Sequence, residues 1–117
     1  MTVTHMFGGI AVTDFTAAYG WYKRLFGRPP DMLPHDQEAV WRLTSGGAVY
    51  VVGDPERAGK CLVTLAVADL EAHVSRLRAE GLAFTEEAEG PAPRRLAIRD
   101  DDGNKITFFQ DPTLPAG

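Results

Sequence analysis

From Met6 to Thr13 the chain is apolar with β-branched members, a pattern that predicts a strand over 6–13. Asp14 follows where a helix N-cap belongs, its carboxylate placed to accept from free amides of the first turn. Phe15, Ala18, Tyr22, Leu25 and Phe26 then recur at helical spacing, and one of the adjacent pair Trp21 and Tyr22 is expected in the core. Gly27 ends that helix and Pro29-Pro30 bars its continuation. Glu38–Thr44 and Ala48–Val52 alternate as strands around Ser45-Gly46-Gly47, a hairpin signal. A second helix opens at Asp69, places Leu70, Val74 and Leu77 on one apolar stripe, and closes with Gly81 as a left-handed cap. Arg94–Arg99 and Lys105–Gln110 flank a polar turn, Asp100 to Asn104. Short strands are expected near Met32–Leu33 and Ala83–Glu86, a loop over Glu86–Pro93, and a tail over Thr113–Gly117.

These elements occur twice. Ile10-Ala11-Val12-Thr13-Asp14-Phe15 is matched by Leu65-Ala66-Val67-Ala68-Asp69-Leu70, and each copy runs through a helix to a glycine. Each half ends in a strand closed by Asp-Pro, at Asp54-Pro55 and Asp111-Pro112, with Gly46 and Gly103 on equivalent turns. A repeat of this kind predicts two copies of one supersecondary unit. No stretch resembles a linker. The expectation is one domain over 1–117, built from two βαβββ modules at about 1–56 and 57–113.

Composition narrows the function. The 117 residues are 44% hydrophobic and 24% charged, ordinary for a folded domain. Twelve basic residues against sixteen acidic ones give a net charge of −4, which argues against nucleic-acid binding. It also favours a cationic ligand slightly, through long-range attraction. No run of apolar residues is long enough to span a membrane, and Met1 to Gly8 shows no signal-peptide pattern. Cys61 stands alone, so no internal disulfide forms; the chain is expected in a reducing cytoplasm, with Cys61 a buried, inert thiol.

The paired modules, each opening its helix with Val-x-Asp and an apolar residue, resemble the vicinal oxygen chelate superfamily of glyoxalases, bleomycin-resistance proteins and extradiol dioxygenases. The matching pieces include Trp21-Tyr22, Leu25-Phe26-Gly27, Arg76 to Gly81 and Asp102-Gly103-Asn104-Lys105-Ile106. The resemblance implies an α+β fold: a curled mixed sheet with helices on its convex side and the ligand on its concave side. It also implies a divalent metal held by His, Gln or Glu at four positions.

Those positions fall seven residues before each helix-opening aspartate and four before each closing Asp-Pro. Here they are Phe7, Leu62, Tyr50 and Thr107. None is a good ligand for a divalent metal. The metal-binding set is therefore expected to be empty and the chain is expected to need no cofactor.

Side chains alternate along a strand. The concave face is then expected to carry His5, Phe7, Gly9 and Ala11 on the first strand, Ala48, Tyr50 and Val52 on the fourth, Leu62 and Thr64 on the fifth, and Lys105, Thr107 and Phe109 on the last. Ile10, Val12, Val49, Val51, Ile106 and Phe108 point to the helices as core. Trp41 belongs to the third strand on a face the pattern leaves open, and it joins the candidate ligand-binding set. His5 is either a polar residue at a strand start or a member of a shifted site. His35 and His73 read as ordinary surface or flanking histidines, and Asp100-Asp101-Asp102 as a polar turn without the spaced ligands of a calcium loop.

An apolar, aromatic face with few polar groups is how small-molecule sites are built. The leading expectation is metal-independent sequestration of a small aromatic or cationic molecule, as in the bleomycin-resistance branch, by a homodimer whose clefts the two chains share. The alternative is a metal-dependent lyase, isomerase or oxygenase of the same superfamily, using a divalent metal on His5, His35 and Glu38, or a metal-free variant with Tyr50 or His5 as acid–base. A third reading is a scaffold whose concave face is filled.

Overall fold

Strand β1, Met6–Val12, leads directly into helix α1, Phe15–Phe26, in a computed structural model that describes residues 1–87 and 94–110. The Asp14 side chain accepts from the Ala17 amide at 3.1 Å, and Gly27 closes the helix at φ 75°. The chain returns through β2 (Met32–His35), β3 (Glu38–Thr44) and β4 (Gly47–Gly53). The second module repeats this order with β5 (Leu62–Ala66), α2 (Leu70–Ala79), β6 (Thr85–Glu87), β7 (Arg95–Arg99) and β8 (Lys105–Phe109). Asp69 caps α2 through the Ala72 amide, and Gly81 takes the left-handed conformation just past the helix while the Leu82 amide bonds back to the Leu77 carbonyl.

Each module forms its own four-stranded mixed sheet, in the orders β1-β4-β3-β2 and β5-β8-β7-β6. The first and last strands of each module pair in parallel and the others antiparallel. The α+β class and the βαβββ repeat expected from sequence are the observed architecture. Two short elements differ in extent: β2 runs on to His35, and β6 is Thr85–Glu87, so Glu87 lies in a strand and not in the loop expected there. The rest of that loop, the closing Asp111-Pro112 and the C-terminal tail lie outside the described residues.

One face of the first sheet is covered by α1. Ile10, Val12, Val49 and Val51 are buried there, as alternation predicts, together with Tyr22 and Leu25 from the helix. Of the pair Trp21 and Tyr22, it is Tyr22 that fills the core. In the second sheet Leu96, Ile98, Ile106 and Phe108 are buried, and His73 of α2 stacks on Phe108 at 5.4 Å.

The compact units do not follow the repeat. Residues 1–61 form one unit with Asp100–Asn104, and the described residues of 62–99 and 105–110 form the other. Side-chain hydrogen bonding explains the allocation. Asn104 is fully buried and its amide donates to the Ala11 carbonyl at 2.8 Å. Its carbonyl oxygen accepts from the Gly59 and Cys61 amides, each at 3.0 Å. Asp100 accepts from the Tyr22 hydroxyl at 2.7 Å and from the Asn104 amide groups, while Asp102 accepts from both the amide and the hydroxyl of Thr13. The polar turn expected from sequence is thus a nearly satisfied buried network. Burial first, and then the bond to Asp100, push the Tyr22 hydroxyl far above its ordinary pKa. Cys61 is partly exposed, with its sulfur facing the Ala11 amide at 3.4 Å.

Candidate ligand-binding site

The sheet faces turned away from the helices are where an open surface remains. In the first module the register sets Phe7 beside Ala48 on one row and Gly9, Tyr50 and Val40 on the next. Phe7 is 51% exposed and Tyr50 half-buried. The Tyr50 ring lies across Gly9, so close that a Cβ at that glycine would come within 2.6 Å of the ring. Glycine is required there by the approach of the ring, not by backbone strain. Arg42, opposite Ala48, and His5, just before β1, border a shallow recess beside Phe7. His5 hydrogen-bonds to the Thr4 hydroxyl at 2.9 Å.

Trp41 does not belong to this face. It is fully buried, its indole donates to the Arg28 carbonyl at 2.9 Å, and its ring sits among Tyr19, Tyr22 and Phe26. The reason is a bulge. Thr44 pairs with Gly47 across a tight turn, which if continued regularly would set Trp41 opposite Tyr50. The register slips between Arg42 and Thr44, so Trp41 opposes Val49 instead and turns to the helix. Beside the slip, the outer edge of β3 is satisfied by side chains: the Arg42 amide donates to Asp31, and the Arg28 guanidinium donates to the Arg42 carbonyl. The Arg42 amide, then the Arg28 guanidinium, hold the Asp31 carboxyl below the usual carboxylate range.

In the second module Leu62, Thr64 and Ala66 of β5 pair with Lys105, Thr107 and Phe109 of β8 on the open face. Leu62 is 79% exposed, whereas Thr107 is only 8% exposed and Phe109 half-buried. Ala97 of β7 and Thr85 of β6 continue the Thr107 row. A cavity of about 460 Å³ opens over Ala97 and Thr85, with Phe84, Arg99, Lys105 and Glu87 on its sides. Phe7, Tyr50, Leu62, Thr107 and Phe109 therefore all stand on open faces, in two separately described units.

The four positions that bind metal in the resemblance carry a phenyl ring, a phenol, an isobutyl group and a buried hydroxyl, and they do not fit a divalent cation. Among the described residues no three His, Cys, Asp or Glu side chains converge as a metal site. In the alternative set, both ring nitrogens of His35 are engaged, Nδ1 by the Gln37 amide at 3.1 Å and Nε2 by Glu38 at 3.2 Å. Sequence reasoning placed Lys105 on this face but missed Arg99 and Glu87, which the register of β6 and β7 sets on the same side.

Residues 2–108 match the model of the glyoxalase/bleomycin resistance protein/dioxygenase superfamily, and the chain belongs to that superfamily. A glyoxalase/bleomycin resistance protein from Catenulispora acidiphila DSM 44928 is similar at 39% identity, with 92% of this chain and 98% of that one covered and a TM-score of 0.88. The fold is shared with TnmS3, an antibiotic-binding protein from Streptomyces sp. CB03234, at 22% identity, coverage of 94% and 98%, and a TM-score of 0.74. It is shared equally with a lactoylglutathione lyase from Agrobacterium tumefaciens, at 15% identity, coverage of 90% and 91%, and a TM-score of 0.74. No curated protein matches the chain. Among the described residues no helix is long and apolar enough to cross a membrane.

Proposed function

We propose that this protein binds a small aromatic molecule on its open sheet faces without a metal ion. One observation carries the reading: the family's four metal positions hold Phe7, Tyr50, Leu62 and Thr107, and the first three present apolar surface to solvent or to a ligand. Aromatic rings gain from offset stacking on Phe and Tyr, by about 0.5–1.5 kcal/mol per pair beyond the area buried. The antibiotic-binding relative shows that this fold serves binding in at least one other chain. Sequestration, with no bond made or broken, is the activity such a face supports.

The test is thermal unfolding of metal-stripped protein with and without Zn²⁺, Mn²⁺, Ni²⁺ or Fe²⁺. A native-state ligand at one hundred times its dissociation constant adds about 2.7 kcal/mol, a shift of several degrees for a chain of this size. The reading predicts no specific shift with any of these ions. A clear shift that His5→Ala abolishes would overturn it in favour of a metal-dependent enzyme.

Pairing of two copies is part of the proposal. Met6, Phe7 and Leu33 in one unit, and Leu62 in the other, are large apolar side chains more than half exposed, and burial against a second copy would take them out of water. Sedimentation equilibrium should report a dimer, and a monomer at all concentrations would remove this part of the account.

A further inference from the structure

The aromatic residues of the first unit fall into two groups. Those of α1 and Trp41 touch one another in a connected set of ring contacts. Phe7 and Tyr50, on the open face, have no ring contact among the described residues. Phe7 begins a row that crosses three strands: it pairs with Ala48 of β4, and Ala48 pairs with Arg42 of β3. Cross-strand partners point to the same side of a sheet, so all three face outward. The middle of the row is a methyl group, and its two ends are a phenyl ring and a guanidinium. All three residues border the recess beside Phe7. Adjacent strands lie about 4.8 Å apart, which sets Phe7 and Arg42 about 10 Å from each other across Ala48. Stacked groups pack about 3.5–4.0 Å apart, so a flat ring between two walls needs about 7–8 Å. A larger side chain at the middle position would fill that gap, and Ala48 leaves it. Tyr50, two residues further along β4 on the same side, borders one end, since its ring leans over Gly9 of β1.

Arg42 is exposed, and among the described residues its guanidinium has no hydrogen bond or ion pair. Asp31 feels its charge but is already engaged, one oxygen by the Arg28 guanidinium at 3.0 Å and the other by the Arg42 backbone amide at 2.6 Å. The Arg42 carbonyl accepts from Arg28 as well, so the backbone is fixed where this side chain projects. We propose that the gap over Ala48 takes one planar, electron-rich aromatic ring that carries no positive charge, with Phe7 on one face and the Arg42 guanidinium on the other. The assignment rests on the reading of the open faces as aromatic-binding surfaces and adds the position and charge of the ring. A guanidinium is planar and is attracted to the negative face of a π system. A cationic ring in the same place would meet a like charge at contact distance. This local effect runs against the slight preference for cations that the net charge of −4 gives the whole chain, and that long-range attraction is screened beyond about 10 Å at ordinary ionic strength.

The experiment displaces a fluorescent probe, N-phenyl-1-naphthylamine, from the whole protein with two competitors, 1-methylnaphthalene and 1-methylquinolinium. These share size and shape and differ by one positive charge. Wild type sets the ratio of their inhibition constants. Arg42→Met should move that ratio toward the cation about threefold, and Arg42→Glu about tenfold. Lys23→Glu, an equal change of charge at an exposed position on α1, should move it less than twofold. Ala48→Leu adds apolar surface but fills the gap, so it should weaken the probe and the neutral competitor about threefold or more. Far-UV circular dichroism and the melting temperature check that each variant folds. If the probe binds wild type but both Arg42 variants keep the wild-type ratio within twofold, or if Ala48→Leu binds the probe more tightly, the site between Phe7 and Arg42 is overturned and the aromatic reading stands. If the probe does not bind wild type, both fall.

Discussion

Asn104 shows how much one side chain can hold together. Its amide and carbonyl satisfy three backbone groups, at Ala11, Gly59 and Cys61, and all of its polar atoms are buried. Asn104→Ala would leave those groups without their partners around a position that is itself fully buried. Each unsatisfied buried group costs about 1–3 kcal/mol, so the variant should lose about 2–4 kcal/mol of stability even after partial relaxation. Urea unfolding followed by circular dichroism would measure it, and a loss under about 0.5 kcal/mol would show that the network carries little of the fold's stability. The sequence offered Asn104 as part of a turn motif and nothing more. Its role depends on residues far away along the chain, which no local pattern encodes. Trp41 failed for a related reason. Alternation could have placed it, but the reading needed the bulge beside Arg42, and one residue of slip exchanges the two faces of a strand.

At the scale of elements the sequence was far more legible. The helices announced themselves by their aspartate caps and glycine ends, and the strands by their β-branched runs, because these signals arise within one or two turns of chain. The core residues of β1, β4 and β8 followed from alternation alone. What could not be read was the partner of a flanking residue such as His73 on α2. Its ring stacks on Phe108, and its Nδ1 is buried with no hydrogen-bond partner among the described residues. Desolvation, and then the nearby Arg76, lower its pKa below the ordinary histidine value, while Asp69 opposes them. The neutral ring is therefore the native form, and the unfolded chain binds the proton more readily. Stability is fully present above the unfolded value near 6.5 and falls as pH drops from there through the folded value. The urea midpoint should decline from pH 7.5 to 5.5, and His73→Gln should flatten that decline. An unchanged slope in the variant would assign the pH dependence to other groups.

At the scale of the whole molecule, the two modules present a consistent change from the metal-binding pattern their family implies. Phe7, Tyr50 and Leu62 replace ligand chemistry with apolar surface and Thr107 replaces it with a buried hydroxyl, while Arg99 stands beside Lys105 on the open face of the second module. The position-by-position comparison was available from sequence. The cavity was not, because it depends on Ala97 and Thr85 sharing one row of a sheet beneath Phe84 and Lys105. The most direct test of the central claim is a ¹⁵N–¹H chemical-shift map of the metal-stripped protein, in EDTA, titrated with N-phenyl-1-naphthylamine. The account predicts saturable shifts confined to the open faces, centred on the amides of Phe7, Gly9, Tyr50, Leu62 and Thr107. No saturable shifts until a divalent metal is added, or shifts centred on the helices, would contradict it.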